Sequence, residues 1–253
     1  MRRRDLLRGT LALAASGALS RLASAASPAP AQPPGTRAEL RAHRARYVVS
    51  YRGITGGELE STLRPGGEPG IWLYETRAFP NILARVAVSP EARERSTMRV
   101  SGGKVQPLTF DFNDGSSSSN KDVRFTFDWV RNVVRGQVDG QPIEMAVPPG
   151  TQDTASVQVA MLVDLLAGRA PESFPILTGS KLREYRYWPE GTATVATPHG
   201  RHEAVAWANQ RDGSARLTRV WHAPGLGYLP VQAIQFRKGH AETVMKLVRF
   251  ERP

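Results

Sequence analysis

Histidine, the side chain most often used in acid–base and metal chemistry, is scarce in this sequence, with five in 253 residues. His199 and His202 are three positions apart, a spacing that could hold a metal ion if the segment were helical. Pro198 and Gly200 instead predict a hairpin turn, and Glu203 is the single carboxylate close to the pair. The sequence therefore predicts no metal site.

Nucleophilic and paired-carboxylate catalysis find equally little support. His222, beside Trp221, could act as a general base, but the sequence has no nucleophile-elbow serine for it to activate. Asp111 and Asp114 could act as a glycosidase pair, yet their place around a polar loop favours solvated surface groups. The pieces GITGG and GGEPG lack the following helix that a phosphate-binding loop requires. No catalytic residue and no cofactor are predicted.

Composition excludes further classes of function. The chain has no cysteine, which excludes disulfides, thiol nucleophiles, zinc–cysteine sites and acyl-cysteine lipoprotein anchors. The formal net charge is +11, of which +4 belongs to the first 25 residues. The remaining charges are mixed in sign without a long basic run. This pattern predicts weak contact with anionic envelope surfaces and no nucleic-acid partner.

The first 25 residues have the pattern of an export signal. A basic start is followed by a short Ala/Leu stretch and by the small-residue site Ala23-Ser24-Ala25. The apolar stretch is too short to span a bilayer, so no transmembrane segment is predicted. The segment Arg3 to Arg8 resembles a twin-arginine signal, and the alternative is an ordinary secretory signal with an extra arginine. Either route predicts a periplasmic protein, cleaved near Ala25.

After the signal, residues 26–44 form a Pro/Ala-rich segment that we expect to be a disordered linker. Residues 45–253 then alternate between strand patterns and turn residues. VRFTFDW, for example, places apolar and polar residues on opposite faces. About a dozen strands joined by short turns predict one antiparallel meander in a single β-barrel-like domain.

One segment, near residues 153–167, predicts a helix. Thr151, Asp153 and Thr154 are capping residues at its start, and Gly168 stops it. From position 157 to 167 all residues except Gln158 and Asp164 are apolar, so the helix must be buried on more than one side. The predicted fold is therefore mainly β: a single antiparallel open half-barrel with one buried apolar helix as its plug or lid.

Aromatic and apolar side chains on these elements are the candidates for ligand binding. A dozen curved strands could enclose more apolar surface than a helix of about three turns can cover, which would leave room for a guest. The alternative is that the aromatic residues fill a solid core. The ligand-binding candidates are Trp72, Tyr74, Trp129, Asp153, Met161, Tyr185, Tyr187, Trp221 and Tyr228.

The stretch at residues 219–236, RVWHAPGLGYLPVQAIQF, predicts a corner between two strands. Pro224 and Pro230 cannot donate to a ladder, and Gly225 and Gly227 permit a sharp bend. Its apolar residues, Leu226 among them, would be costly in water. We expect the corner to fold onto the end of the barrel, and to form a ligand lip only if the barrel is hollow.

Five segments in a fixed order resemble an uncharacterised family of exported proteobacterial proteins, known only as a domain of unknown function. They are YVVSYRGITGGELE, FDW, QDTAS, TPHGRHEAV and WHAPGLGYLPV, within residues 45–250. The resemblance implies a periplasmic β-rich domain and supplies no catalytic residues. The architecture is also similar to the half-barrel carriers of lipoproteins and lipids in bacterial envelopes.

Three functions remain open. The first hypothesis is a periplasmic binding or carrier protein for an apolar or amphipathic envelope molecule. The second is an envelope hydrolase or glycan-processing enzyme whose site is assembled without a motif. The third is a scaffold that binds another protein through an exposed sheet edge.

Overall fold

The structure is a computed structural model that describes residues 39–86, 88–115 and 122–253. The predicted signal peptide and most of the predicted linker lie outside the described residues.

The described chain consists of fifteen strands, one α-helix and two short 3-10 turns, at Ala84–Val86 and Pro224–Leu226. The helix, α1, spans Ser156–Leu166. The strands are β1 His43–Tyr51, β2 Ile54–Pro65, β3 Ile71–Pro80, β4 Arg93–Ser101, β5 Lys104–Asn113, β6 Val123–Asp128, β7 Val133–Val138, β8 Gln141–Ala146, β9 Gln152–Asp153, β10 Ser173–Thr178, β11 Lys181–Thr197, β12 Gly200–Arg211, β13 Arg216–Ala223, β14 Leu229–Arg237 and β15 His240–Glu251.

All fifteen strands belong to one sheet, in the order β8-β7-β6-β5-β4-β3-β2-β1-β15-β14-β13-β12-β11-β10-β9. Every neighbouring pair is antiparallel except the two-residue strand β9, which runs parallel to β10. The edge strands β8 and β9 are consecutive along the chain, and β1 pairs with β15 in the middle of the sheet. The predicted open antiparallel architecture with one helix is confirmed, with fifteen strands in place of about a dozen.

The connections alternate between two ends of the sheet because neighbouring strands are antiparallel. Seven lie at one end, which we call the Arg52 end: β1–β2, β3–β4, β5–β6, β7–β8, β10–β11, β12–β13 and β14–β15. The other end carries the remaining hairpins, including the turn at His199 and the corner at Pro224.

Helix α1 crosses the interior of the curved sheet. On one side Val159, Ala160 and Val163 pack against core residues of β2, β4 and β5. On the other side Met161 and Leu165 pack against a tryptophan of β12. Strands surround the helix, so it is apolar all round, as the sequence predicts.

The helix begins three residues later than predicted. Asp153 belongs to β9, and its Oδ1 accepts hydrogen bonds from the backbone N–H groups of Ala155 and Ser156, at 2.9 and 2.6 Å. Although Asp153 lies in β9 and outside the helix, its side chain therefore satisfies N–H groups at the helix start. At the other end Gly168 adopts a left-handed φ of 69° and ends the helix.

Two connections between strands depend on proline and glycine. Between β1 and β2 the chain turns at Arg52-Gly53, and the glycine-rich residues 54–57 already belong to β2. The predicted corner at 224–228 is present. Leu226 packs against the core and Leu229 is 2 % exposed. β13 continues to Ala223, so the corner is shorter than the prolines suggested.

No helix in the described part of the chain is both long and apolar enough to cross a membrane.

Gly136 on β7 tests the packing of the sheet. A Cβ at this position would lie 1.8 Å from the carbonyl oxygen of Arg124 on β6. We expect Gly136→Ala to lower the free energy of unfolding by about 2–3 kcal/mol, since backbone must move to relieve the clash. Urea unfolding measures the change. Gly67→Ala is the matched control, because a Cβ at Gly67 meets no heavy atom within 4 Å. Equal stability of the two variants would contradict the close β6–β7 approach.

Candidate functional site

A cavity of about 50 Å³ lies between the first half of α1 and the strands β10–β13. We call it the α1 cavity. Its helix side carries Val157, Gln158 and Met161. The rest of its lining is Thr154, Ile176, Thr178, Tyr185, Tyr187, Trp207, Asn209, Val220 and His222.

Strand alternation explains why these residues meet. Each of the four strands contributes two residues separated by one position, which places both side chains on the same face. The largest pair is Tyr185 and Tyr187 on β11, and Tyr187 stands edge-on to Phe174 with ring centroids 5.2 Å apart. Trp207 is 7 % exposed and packs against Met161 of the helix. The wall of the cavity is thus aromatic and fixed by its neighbours.

His222 is the residue of this lining whose ordinary pKa lies near neutral pH. Its Nδ1 lies 2.9 Å from the carbonyl oxygen of Tyr228, which can only accept, so Nδ1 carries a proton. Burial lowers the pKa of His222 to about 4. The imidazole is therefore neutral at neutral pH, and its second nitrogen is a hydrogen-bond acceptor rather than a positive charge.

A second group of polar residues lies at the start of α1, beside the cavity. Thr154 donates a hydrogen bond from its hydroxyl to Oε1 of Glu94 on β4. Two residues along the same strand face, the Ser96 hydroxyl donates to Asp153 Oδ2 at 2.7 Å. We call Glu94, Ser96, Asp153 and Thr154 the β4 anchor, because they join the helix start to this strand.

Both carboxyl groups of the β4 anchor are fully enclosed. Burial raises the pKa of Glu94 to about 8 and that of Asp153 to about 6. Hydrogen bonds to Ser96, Ala155 and Ser156 oppose the shift at Asp153. Glu94 has one hydrogen bond from Thr154, and its Oε2 has no partner among the described residues. Glu94 therefore holds its proton at neutral pH.

The carboxyl groups and histidines of the described residues do not form a catalytic pair or a metal site. The two buried carboxyl groups are engaged with the helix start and do not face each other across a groove, as a glycosidase pair would. Asp111 pairs with Arg124 at 3.1 Å, whereas Asp114 is buried, contrary to the solvated position expected for it. His199 and His202 stack at an exposed hairpin turn, and no cluster of three metal-ligating residues occurs in the described ranges.

The structure brings three of the nine predicted ligand-binding residues together at the α1 cavity: Met161, Tyr185 and Tyr187. Tyr228 packs nearby, against the cluster of Met161, Leu165 and Trp207.

The other five predicted residues lie elsewhere. Trp72 and Tyr74 pack against the opposite side of α1. Trp129 lies beside the β6–β7 core and donates from its indole nitrogen to the Pro107 carbonyl at 2.6 Å. Trp221 packs against the β1–β15 core, and Asp153 belongs to the β4 anchor.

Sequence reasoning missed Trp207 and Asn209 of the cavity and Glu94 of the anchor. In the strand EAVAWANQ five consecutive residues are apolar, so alternation does not identify the inner face. In RERSTMRVS, by contrast, the alternation that identifies the buried face was present. Arginines alternate with Glu94, Ser96 and Met98, and that arrangement places the glutamate on the buried face.

Comparisons with known proteins agree with the fold. A family model described as "Protein of unknown function (DUF3108)" matches residues 46–246. The chain is similar to the β-barrel-like protein of the domain of unknown function DUF1849 from Brucella abortus, with a TM-score of 0.55 and 11% identity over 85% of this chain and 98% of that chain. That similarity supports the shared fold. No curated protein shows a significant match.

Two further solved structures align at lower TM-scores. One is a candidate exported protein with a YmcC-like fold from Bacteroides fragilis, with a TM-score of 0.35 and 10% identity over 84% of this chain and 97% of that chain. The other is a candidate lipoprotein from Parabacteroides distasonis, with a TM-score of 0.37 and 8% identity over 84% of this chain and 96% of that chain.

Glu94 makes stability depend on pH. The folded state keeps its proton up to about pH 8, whereas the unfolded chain loses it near the ordinary value of 4.5. Between these values the folded state binds more protons, so the free energy of unfolding falls as pH rises. His222 has the opposite effect, which fades within about one pH unit above its ordinary value of 6.5, and Asp153 adds to the Glu94 effect below about pH 6. The difference in slope between forms with and without Glu94 from pH 6.5 to 8 therefore reports Glu94.

We expect the wild type to lose about 1 kcal/mol per pH unit in this range from the Glu94 proton. Glu94→Gln, which stays neutral, should flatten the profile and leave stability near pH 6.5 almost unchanged. Urea midpoints between pH 6.5 and 8 measure both. Glu91→Gln, at an exposed position, should keep the wild-type slope. A Glu94→Gln profile as steep as that of the wild type would contradict the buried neutral acid.

Proposed function

The chain belongs to the DUF3108 family, and we propose that it is a periplasmic binding or carrier protein for an apolar or amphipathic envelope molecule held at the α1 cavity. The proposal combines the export pattern of residues 1–25 with the lining of the interior. An apolar portion of the guest would contact the aromatic wall and α1. Thr154, Asn209 and His222 would orient its polar group.

One observation carries the proposal: α1 and the aromatic strands do not close on each other. Met161 and Val157 face Tyr185, Tyr187 and Trp207 across a space that remains unfilled. Small-molecule sites are typically apolar and aromatic with a few fixed polar groups, which is the composition found at this cavity.

The size of the cavity defines how a guest would enter. About 50 Å³ accommodates a few ordered waters, whereas sites for drug-sized molecules occupy roughly 300–1,000 Å³. Binding of a lipid-sized guest therefore requires α1 to shift. The β4 anchor holds the start of the helix, so the shift would be a rotation or outward movement about that start, with the guest replacing helix contacts to β10–β13.

The two other functions have less support. For an enzyme, the described residues offer no nucleophile beside a base, and His222 is neutral with Nδ1 bonded to a carbonyl. For a scaffold, the edge strand β8 carries Pro142, which cannot donate to an added strand, and the exposed Glu144. Both features discourage pairing with another chain.

We further propose that the segment from Arg3 to Arg8 directs twin-arginine export, so that α1 is already in place when the protein crosses the membrane. Arg3→Lys/Arg4→Lys should stop export by this route, because the paired arginines are what its receptor reads. An ordinary secretory signal would tolerate the change, since lysine preserves its positive charge. Fractionation of cells that express each form measures the exported share. Unchanged export of the double variant would contradict the twin-arginine route.

The binding proposal predicts a co-purifying guest. Protein isolated from a periplasm without detergent should carry a lipid or hydrophobic metabolite that native mass spectrometry detects. It should also bind the neutral fluorophore N-phenyl-1-naphthylamine in competition with that molecule. Val220→Phe, which fills the cavity, should weaken dye binding by about tenfold or more, because the guest loses its contact surface.

Val130→Phe is the matched control, since Val130 is 96% exposed in the β6–β7 turn. It should bind the dye as the wild type does. A bare mass together with no saturable dye binding by the wild type would contradict the carrier function. Equal loss in both variants would place the dye outside the α1 cavity.

A further inference from the structure

Four large apolar side chains are exposed close together at the Arg52 end. Ile54 is 65% exposed, Ile82 81%, Leu83 72% and Phe79 42%. We call these four residues the apolar tip. With Val130 at the opposite end, they are the exposed large hydrophobic residues of the described chain. Grouped exposure of this kind marks an interaction site more often than single exposed residues do.

Hydrogen bonds to the start of β2 hold the tip in place. The backbone N–H of Asn81 donates to the Gly56 carbonyl at 2.9 Å, and its side-chain amide donates to the Thr55 carbonyl at 2.7 Å. Asn81 Oδ1 also accepts from the backbone N–H of Ala84 at 3.0 Å. The chain that carries Ile82 and Leu83 is therefore fixed beside Ile54, with both side chains directed away from the core.

A basic depression adjoins the tip, two residues along the chain from Ile54. It has a volume of about 520 Å³ and opens widely to solvent. Its lining is Arg52, Arg237, Lys238, His240, Ala241 and Glu242.

Glu242 organises the arginines of this depression. Its Oε1 accepts from Arg52 at 3.0 Å and lies 3.8 Å from Arg237, and the carboxylate is buried. Burial alone would raise the pKa of Glu242, but hydrogen bonds from Arg52 and Tyr51 and the charge of Arg237 outweigh it and lower the pKa. One carboxylate therefore pairs with the guanidinium groups of Arg52 and Arg237, with Arg216 4.0 Å from its other oxygen. Lys238 adds a further positive charge to the rim.

The backbone of the two turns indicates that these cations are not incidental. Arg52 and Lys238 both adopt left-handed φ angles, 49° and 50°, in adjacent hairpins. Asn and Asp tolerate this conformation better than other non-glycine residues, and the β7–β8 hairpin uses Asp139 there. At the Arg52 end, two hairpins place a residue less suited to the left-handed conformation at that position, and in both hairpins the residue is a cation.

We propose that the Arg52 end docks on the surface of an anionic lipid bilayer, with the apolar tip inserted among the headgroups and the basic depression against lipid phosphates. Exposed apolar residues flanked by cations are the combination that binds such surfaces. Asp114, Asp122 and Asp139, three acidic residues of this end, lie in the β5–β8 connections away from the tip. Asp212, in the β12–β13 hairpin, pairs with Arg186 at 2.6 Å, and Glu91 is the one acidic residue of the β3–β4 connection among the described residues. The docking does not depend on a guest in the α1 cavity.

Co-sedimentation with vesicles tests the docking. The wild type should bind vesicles of 30% phosphatidylglycerol in phosphatidylethanolamine, bind pure phosphatidylcholine far less, and dissociate as salt is raised. Ile82→Ser/Leu83→Ser should weaken binding by about tenfold or more through lost apolar contact. Arg52→Asn/Lys238→Asn, which suits the turn conformation, should weaken it about fivefold per charge and reduce the salt dependence.

The matched controls lie at the opposite end of the sheet. Val130→Ser and Arg64→Asn, both at exposed positions, should bind vesicles as the wild type does. Leu83→Trp should show a blue-shifted emission and quenching by brominated lipid, and Val130→Trp should show neither. Val220→Phe should keep vesicle binding, which separates this test from that of the cavity.

Three results would overturn the docking. The first is a wild type that fails to sediment with the anionic vesicles. The second is a loss of binding in the controls as strong as that in the tip variants. The third is that Ile82→Ser/Leu83→Ser leaves vesicle binding unchanged and converts a dimer into a monomer in analytical ultracentrifugation. In that case the apolar tip contacts a second copy of the chain.

Discussion

The interior face of the fifteen-stranded sheet has to be covered, and α1 is the element that covers it. The sheet edges β8 and β9 are consecutive along the chain, so the polypeptide passes from one edge into the interior within a few residues. The helix then packs against β4 and β5 on one side and β10 to β12 on the other. The apolar composition of the helix and the inward aromatic residues of the strands both follow from this arrangement.

A helix that is apolar on every side gains similar burial in many rotational positions, so apolar contacts alone do not select one. The β4 anchor supplies the selection. Asp153 accepts hydrogen bonds from two backbone N–H groups at the helix start, and Ser96 and Glu94 connect that start to one strand. Burying two carboxyl groups is costly, and the high pKa of Glu94 reflects that cost. In return the helix has one defined start. Near its end Asp164 accepts from Arg169, which also donates to the Gly103 carbonyl, and the turns between are held by apolar contacts.

Periodicity explains which features the sequence could predict. Strand alternation, the capping residues and the uninterrupted apolar helix are local patterns, and they correctly indicated an open antiparallel sheet around one buried helix. The α1 cavity depends on which faces of β10–β13 meet the helix. Strands such as EAVAWANQ, apolar on both faces, do not identify the inner one. Because the sequence does not show which inner faces meet, Trp72 and Trp129 were also predicted as ligand candidates, although they pack in other parts of the core.

Departures from local preference proved as informative as the patterns. A glutamate on the inner face of β4 and cations at the left-handed positions of two hairpins are poor choices for local stability. Both lie toward the Arg52 end, where α1 begins. Thr154 and the first two turns of the helix line the cavity, and Thr178 adds the last residue of β10, which ends there too. The anchored start of the helix, the part of the cavity beside Thr154 and Thr178, and the proposed membrane-facing tip therefore share one end of the barrel, while His222 lies toward the other end, beside the Pro224 corner. A guest that left a bilayer at that end would reach the aromatic wall without crossing the rest of the core.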